Sequence, residues 1–226
     1  MNQSQDHNPD SSNIDVAKRT MRAHVRGLLT KLAAQNPNYF VQRGAHIAGR
    51  LRAMTEVTSA RTVLAYCPLP REPDFTSLFP HLRGLALPRV NADATIEPGT
   101  MLAPDISSKR SQMAAFAIDP HQWESALVTG YFGIREPNFA CSRIDPSEIE
   151  VVLLPGLAFD SFGGRLGKGR GFYDVFLNEN WPTGKRPLLI GICLEDQIVD
   201  RVPMAASDVF VRRVVTDLRT LECSGN

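Results

Sequence analysis

No apolar run in this chain of 226 residues approaches the roughly 20 residues that a membrane-spanning helix needs, so there is no candidate span. An excess of one charge is missing too. The 25 basic and 24 acidic residues leave a net charge of +1, so no overall field gathers nucleic acid or an anionic membrane, and any anion site has to be a local cluster. The four cysteines, at 67, 141, 193 and 223, match neither a zinc nor a thioredoxin-like spacing. Reduced thiols are expected, with Cys67 and Cys193, inside the apolar runs TVLAYCPL and LLIGICLE, acting as small buried hydrophobes; the expected compartment is cytoplasmic. Residues 1–14, MNQSQDHNPDSSNI, lack the basic start and apolar middle of a signal peptide and are expected to form a disordered tail. No fixed-period repeat, low-complexity block or dividing linker follows, so residues 15–226 are expected to form a single domain.

What is present begins with a helical pattern from Asp15, which can cap the first turn. Met21, Val25, Leu28, Leu29 and Leu32 share one face, and Lys18 and Arg22 project within roughly 80° of the direction of Val25. The two cations therefore flank the buried stripe, either as solvated helix charges or as part of a site. A second helix is expected in NPNYFVQRGAHIAGRLRAM, with Asn36 as cap and Pro37 at the first helical position. Beyond it lie the short apolar runs RTVLAYCPL, GLALPRV, EVVLLPGLAFD, RPLLIGICLE and VFVRRVVTD. Continuous rather than alternating apolarity predicts strands covered on both faces, hence an α/β fold with a largely parallel or mixed sheet. The stretch from Asn91 to Asp119 is polar and weakly patterned, and no element is assigned there.

The segment EIEVVLLPGLAFDSFGGRLGKGRGFYDVFL reads as strand, glycine-rich loop, then helix from about Phe172. Ligands of open α/β sheets collect at the carboxyl ends of strands, and a helix start offers free N–H groups to an anion. Gly167, Gly169 and Gly171 allow close backbone approach, while Arg165, Lys168 and Arg170 supply charge, a chemistry that suits a polyphosphate. Named nucleotide motifs do not apply. Phe162 stands where a P-loop would have its first glycine, Gly169 follows Lys168 where a hydroxyl is required, and Asp174 occupies the place of the third dinucleotide-fingerprint glycine.

Taken with its neighbours, LPGLAFDSFGGRLGKGRGFYD resembles the signature of the 5-formyltetrahydrofolate cyclo-ligase (5,10-methenyltetrahydrofolate synthetase) family. Other segments match in order from about residue 15 to 217: the Lys18/Arg22 pair, YCPLPREPDF, LPRV, GYFGIREP and DQIVDRVPMAASDVFVRRVVT. The resemblance implies a three-layer α/β/α fold and an ATP- and Mg2+-dependent conversion of 5-formyltetrahydrofolate to 5,10-methenyltetrahydrofolate with release of ADP and phosphate. It places Lys18, Arg22 and the loop Arg165, Leu166, Gly167, Lys168, Gly169, Arg170, Gly171, Phe172 and Tyr173 on the nucleotide. Arg22, Glu72, Lys168, Gly169, Arg170, Gly171 and Phe172 fall on the folate, and Asp174 and Asp208 on magnesium. The catalytic cations implied are Arg165, Lys168 and Arg170.

Such a reaction asks mainly for positioning and charge neutralisation, in keeping with the lack of any Ser-His-Asp or Cys-His set. The five histidines, at 7, 24, 46, 81 and 121, cluster with none of the matched segments. Alternatives stay open at four positions: Glu72 as a solvated loop acid, Asp174 as a complement to the helix start, and Phe172 or Tyr173 as core. The sequence departs from the family pattern in MAASD, where many relatives carry a Pro-His pair before the aspartate matched to Asp208, and in Arg170 for Lys and Phe172 for Tyr. Two rival readings are a non-catalytic nucleotide- or folate-binding protein of the same fold and an RNA-contacting module using the basic loop. The near-neutral charge speaks against the second. The expected partners are small-molecule substrates, with no nucleic acid and no membrane, in a monomer or weak homodimer.

Overall fold

A computed structural model describes residues 9–90, 113–130, 133–183 and 186–224. Helices α1 (Pro9–Gln35), α2 (Tyr39–Arg52) and α3 (Thr55–Thr58) precede β1 (Val63–Leu64), β2 (Leu85–Val90), β3 (Met113–Ile118), β4 (Leu127–Thr129) and β5 (Arg135–Pro137). There follow β6 (Val151–Pro155), β7 (Ala158–Phe159), β8 (Arg165–Leu166), α4 (Phe172–Asn180), β9 (Leu188–Ile192), β10 (Arg213–Val215) and β11 (Thr220–Glu222).

Seven strands form the main sheet in the order β11-β10-β9-β6-β1-β2-β3. The four central pairings, β2 with β1, β1 with β6, β6 with β9 and β9 with β10, are parallel, and the two edge strands β3 and β11 are antiparallel. Each of the five apolar runs contributes a strand. The period-2 side-chain alternation explains why those runs are apolar throughout. Val63, Leu85, Leu87, Val151, Leu153, Ile190 and Ile192 point to one face and pack with Ile47, Ala48 and Leu51 of α2. Leu64, Ala86, Val152, Leu154 and Leu189 point to the other and pack with Phe176 and Leu177 of α4 and with Trp181 just after it. The result is the expected α/β/α layering.

Helix α1 lies on neither face. Val25 and Leu29 pack instead on Leu157, Ala158, Leu166, Leu194 and Val202, so α1 crosses the β7–β8 hairpin beyond the carboxyl ends of β6 and β9. It starts at Pro9, a residue whose missing N–H costs nothing in a first turn. Residues 9–14, expected in a disordered tail, are therefore helical and Asp15 lies inside the helix instead of capping it; residues 1–8 lie outside the described residues. Helix α2 begins at Tyr39, two residues after Pro37. The side chain of Asn36 accepts the N–H of Asn38 at 2.9 Å and its carbonyl accepts the N–H of Tyr39 at 3.0 Å, which makes residues 36–39 a turn. Of the unassigned stretch 91–119, β3 occupies the end, and residues 91–112 lie outside the described residues. Among the described residues no helix is long and apolar enough to cross a membrane, and all four cysteines are free, with Cys193 buried as expected and Cys67 partly so.

Candidate functional site

At the carboxyl ends of β1, β2 and β6 a cavity of about 300 Å³ is lined by Tyr66 and Cys67, by Pro88 and Val90, and by Pro155. Its basic wall runs from Arg165 of β8 through Gly167, Lys168, Arg170 and Gly171 of the following loop to Phe172, Tyr173 and Asp174 at the start of α4; Glu72, Met113, Ile134, Arg135 and Glu136 complete it.

The β7–β8 hairpin that leads into the loop is held from below. Asp160, 1% exposed, accepts the N–H groups of Phe162 (2.9 Å) and Gly164 (2.8 Å) with Oδ1 and that of Val202 (2.7 Å) with Oδ2. The amide of Gln197 donates to the carbonyls of Gly156 and Leu157 and accepts from Leu194. These bonds satisfy buried backbone groups where the chain turns sharply, so the aspartate of the AFD stretch is structural. Gly169 (φ 102°) and Gly171 (φ 71°) occupy left-handed conformations, and Gly171 places α4 so that its first turn, without a side-chain cap, faces the cavity.

The structure brings Arg165, Lys168, Arg170, Phe172, Tyr173, Asp174 and Glu72 around one cavity. Arg165, 6% exposed, sends Nη2 to Asp174 Oδ1 (2.7 Å) and Nη1 to the carbonyl of Pro155 (3.3 Å), leaving its buried Nε without a partner among the described residues. Lys168 Nζ lies 2.6 Å from Glu72 Oε1, and Glu72 Oε2 accepts the N–H of Leu69 at 2.8 Å, so Glu72 is not the solvated loop acid that was the alternative. Leu166 buries its side chain beneath α1, which leaves only its backbone for a ligand. Phe172 and Tyr173 both pack partly on the core and both line the cavity.

Lys18, Arg22 and Asp208 stand behind the loop, away from the cavity lining. Arg22 Nε donates to the carbonyl of Gly167 at 2.9 Å, and buried Lys18 is ion-paired with Asp208. Asp208 and Asp174 are linked through the N–H of Val209, which donates to Asp174 Oδ1 at 3.1 Å. Among the described residues no group of three or more His, Cys, Asp or Glu side chains is arranged to hold a metal. Asp174 engages its cation and N–H through Oδ1, and Asp208 through Oδ2. Each carboxylate thus keeps one hard oxygen in reserve, which fits an ion that takes most of its ligands from water and phosphate.

Sequence reasoning missed Glu136, Tyr66 and Arg26. Glu136 is 5% exposed, and burial pushes its carboxyl up to about 7 against the opposing bond from the N–H of Val90 (3.1 Å). The buried Tyr66 hydroxyl has no partner among the described residues, and burial, then the Glu72 carboxylate, pushes it well up. Arg26 reaches the carbonyl of Lys168 at 3.4 Å. Burial lifts the Cys67 thiol to about 11, which favours its neutral, weakly nucleophilic form. The acid in GYFGIREP was the available signal for Glu136; nothing in TVLAYCPL marked the tyrosine.

A mostly parallel sheet with a basic loop running into a helix start at its carboxyl edge defines an anion-handling α/β protein. The model of the 5-formyltetrahydrofolate cyclo-ligase family matches residues 14–217, and the chain belongs to that family. It is 31% identical over 166 residues to the 5-formyltetrahydrofolate cyclo-ligase of Mycolicibacterium smegmatis, covering 71% of this chain and 76% of that one. The match to the Saccharomyces cerevisiae protein of the same name is 39% over 90 residues, 38% of this chain and 41% of that one; the Escherichia coli relative is matched over 54% of its length. Several curated relatives are thus matched over about half their length or less. The Aquifex aeolicus 5,10-methenyltetrahydrofolate synthetase superposes with a TM-score of 0.70 at 25% identity, covering 92% of this chain and 94% of that one. The Mycoplasma pneumoniae synthetase, at 18% identity and TM-score 0.59, shares the fold.

Proposed function

We propose that this chain closes 5-formyltetrahydrofolate to 5,10-methenyltetrahydrofolate at the expense of ATP, yielding ADP and phosphate. The observation that carries the reading is the Lys168–Glu72 pair, which joins the basic loop to the one folate-assigned acid across a single cavity. Family membership implies the use of ATP and a folate-type substrate.

The chemistry starts from a poor leaving group. The oxygen of the N5-formyl group cannot depart from its carbon as hydroxide, so it attacks the γ-phosphorus, ADP leaves, and the carbon becomes an activated imidate. N10 then attacks that carbon, loses its proton, and the oxygen departs with the phosphate. Arg165, Lys168 and Arg170 supply positive charge where the transferred phosphoryl develops negative charge. The uncapped first turn of α4 orients N–H groups on the same oxygens. Glu72 takes hydrogen bonds from the donor edge of the pterin, and Lys168 neutralises it there. Helix α1 clamps the back of the loop through Arg22, which acts on the nucleotide through the loop it holds, while Lys18 acts through Asp208 and, by way of Val209, through Asp174. Mg2+ bound by Asp174 and Asp208 would neutralise phosphate charge.

Growth of the methenyl absorbance on mixing protein, ATP, Mg2+ and 5-formyltetrahydrofolate tests this reading. Folate binding with no absorbance growth would leave the non-catalytic alternative. A cytoplasmic location in a monomer or weak homodimer completes the proposal; the free cysteines support the first, and the Arabidopsis thaliana relative named as mitochondrial marks the rival compartment that localisation imaging would test.

A further inference from the structure

A second cavity, of about 560 Å³, adjoins the first and shares Cys67, Leu69, Glu72 and Arg135 with it. Its other lining includes Phe40, Trp123 and Arg71. Arg71 and Arg135 have no carboxylate partner among the described residues. Arg71 Nη1 donates to the hydroxyl of Thr30 at 3.1 Å, while Arg135 Nη2 donates to the carbonyl of Glu124 at 3.0 Å and its guanidinium lies 5.5 Å from the centre of the Trp123 ring. Of the acids in this cavity, Glu72 is neutralised by Lys168, and Asp74 is turned to the N–H and hydroxyl of Thr76. The local balance favours an anion.

The backbone supplies a second observation. Glu72 N–H donates to the carbonyl of Leu69 at 2.9 Å, closing a four-residue turn with Pro70 second and Arg71 third. Arg71 has φ 69°, the only positive φ outside glycine among the described residues. Proline followed by a left-handed residue is the type II pattern, which asks for glycine or asparagine at that third position. An arginine there costs on the order of what any left-handed side chain costs, and it is the side chain, not the turn, that gains from it.

We propose that Arg71 and Arg135 form a subsite for the glutamyl carboxylates of the folate substrate, with the benzoyl arm running between the two cavities past Phe40 and Trp123. This rests on the cyclo-ligase reading, which puts the pterin at Glu72. The tail of a folate carries two carboxylates at neutral pH and gains one with each added glutamate, so a cavity with two unmatched guanidinium groups, continuous with the pterin site, complements it.

The test compares 5-formyltetrahydrofolate with 5-formyltetrahydropteroate, which has the same pterin and arm and no glutamate, by kcat/KM and by calorimetric binding to the full chain. The wild-type protein is expected to prefer the glutamyl form by about tenfold or more, a preference that shrinks with salt. R71N, which keeps a residue tolerant of positive φ, and R135Q are each expected to cut that ratio several-fold, and the double variant to bring it near one; R135K is expected to restore part of it. No preference in the wild type, or an equal loss for both ligands in the variants, overturns the subsite while leaving the cyclo-ligase reading intact. Failure to bind either folate overturns both.

Discussion

Lys168 Nζ, on the glycine loop, sits 2.6 Å from Glu72 Oε1, on the turn after β1, although 96 positions of sequence separate them (168 less 72). The pair makes the two walls of the cavity electrostatically dependent on each other. Glu72 is also tied to its own turn through the N–H of Leu69, so it is a fixed acceptor and not a mobile surface acid.

Glu72→Gln keeps an oxygen for Leu69 and removes the charge. Folate affinity is expected to fall by about tenfold or more, since a charge-assisted hydrogen bond is lost, with ATP affinity falling less. Calorimetric titration with each ligand measures the two losses; an unchanged folate affinity takes Glu72 out of the site.

Lys18→Ala and Arg22→Ala are both expected to weaken ATP use more than folate binding, because Arg22 braces the loop from behind and Lys18 holds Asp208, whose neighbour Val209 bonds Asp174 in the first turn of α4. Their effects on stability differ. Lys18 and Asp208 side chains are only 10% and 16% exposed, and removing the lysine leaves the carboxylate without its cation, at a cost of about 3 kcal/mol. Arg22→Ala loses one bond to a carbonyl, about 1 kcal/mol. Urea unfolding alongside KM determinations separates the two effects, and equal destabilisation would contradict the placement of Lys18.

Glu136 gives the stability a pH dependence. Burial raises its folded value to about 7 from an ordinary 4.5, so the unfolded chain releases its proton first as pH rises. The resulting stability is fully present below pH 4.5 and is lost between there and about pH 7. Glu136→Gln is therefore expected to be nearly neutral at the acid end and stabilising, on the order of 2 kcal/mol, at pH 8. Thermal unfolding of both proteins across that range is the measurement; a difference independent of pH would mean that the carboxyl is ionised when folded.

Two glycines separate strain from collision. Gly171 has φ 71° with open space around it, so Gly171→Ala is expected to cost about 1 kcal/mol. A Cβ on Gly163, at φ 90°, would stand 2.3 Å from the carbonyl oxygen of Val211, and Gly163→Ala is expected to cost several-fold more. Denaturant midpoints order the two variants, and the reverse order would contradict the hairpin geometry.

Much of this was legible in the sequence because the burial was local. Val151 to Leu154 are apolar in succession, and both sheet faces are covered, one by α2 and the other by α4. The loop and its cations were legible for the same reason, lying within ten residues of α4. What pattern could not reveal was where α1 goes. A stripe centred on Val25 says that one face is buried, and packing on Leu157, Leu166 and Leu194 is a tertiary fact. The pairing of Lys18 with Asp208, 190 residues apart, arises from that placement, as does the burial of Glu136 from the strand end at Val90. The cap expected at Asn36 failed for a local reason: its side chain turned the chain at Asn38 before the helix could start.

The most direct measurement is the fate of the formyl oxygen. With 5-formyltetrahydrofolate labelled by oxygen-18 in its formyl group, activation by phosphoryl transfer in this cavity requires the label to appear in the released inorganic phosphate, one atom per turnover. Unlabelled phosphate, with the heavy oxygen in water instead, would contradict it.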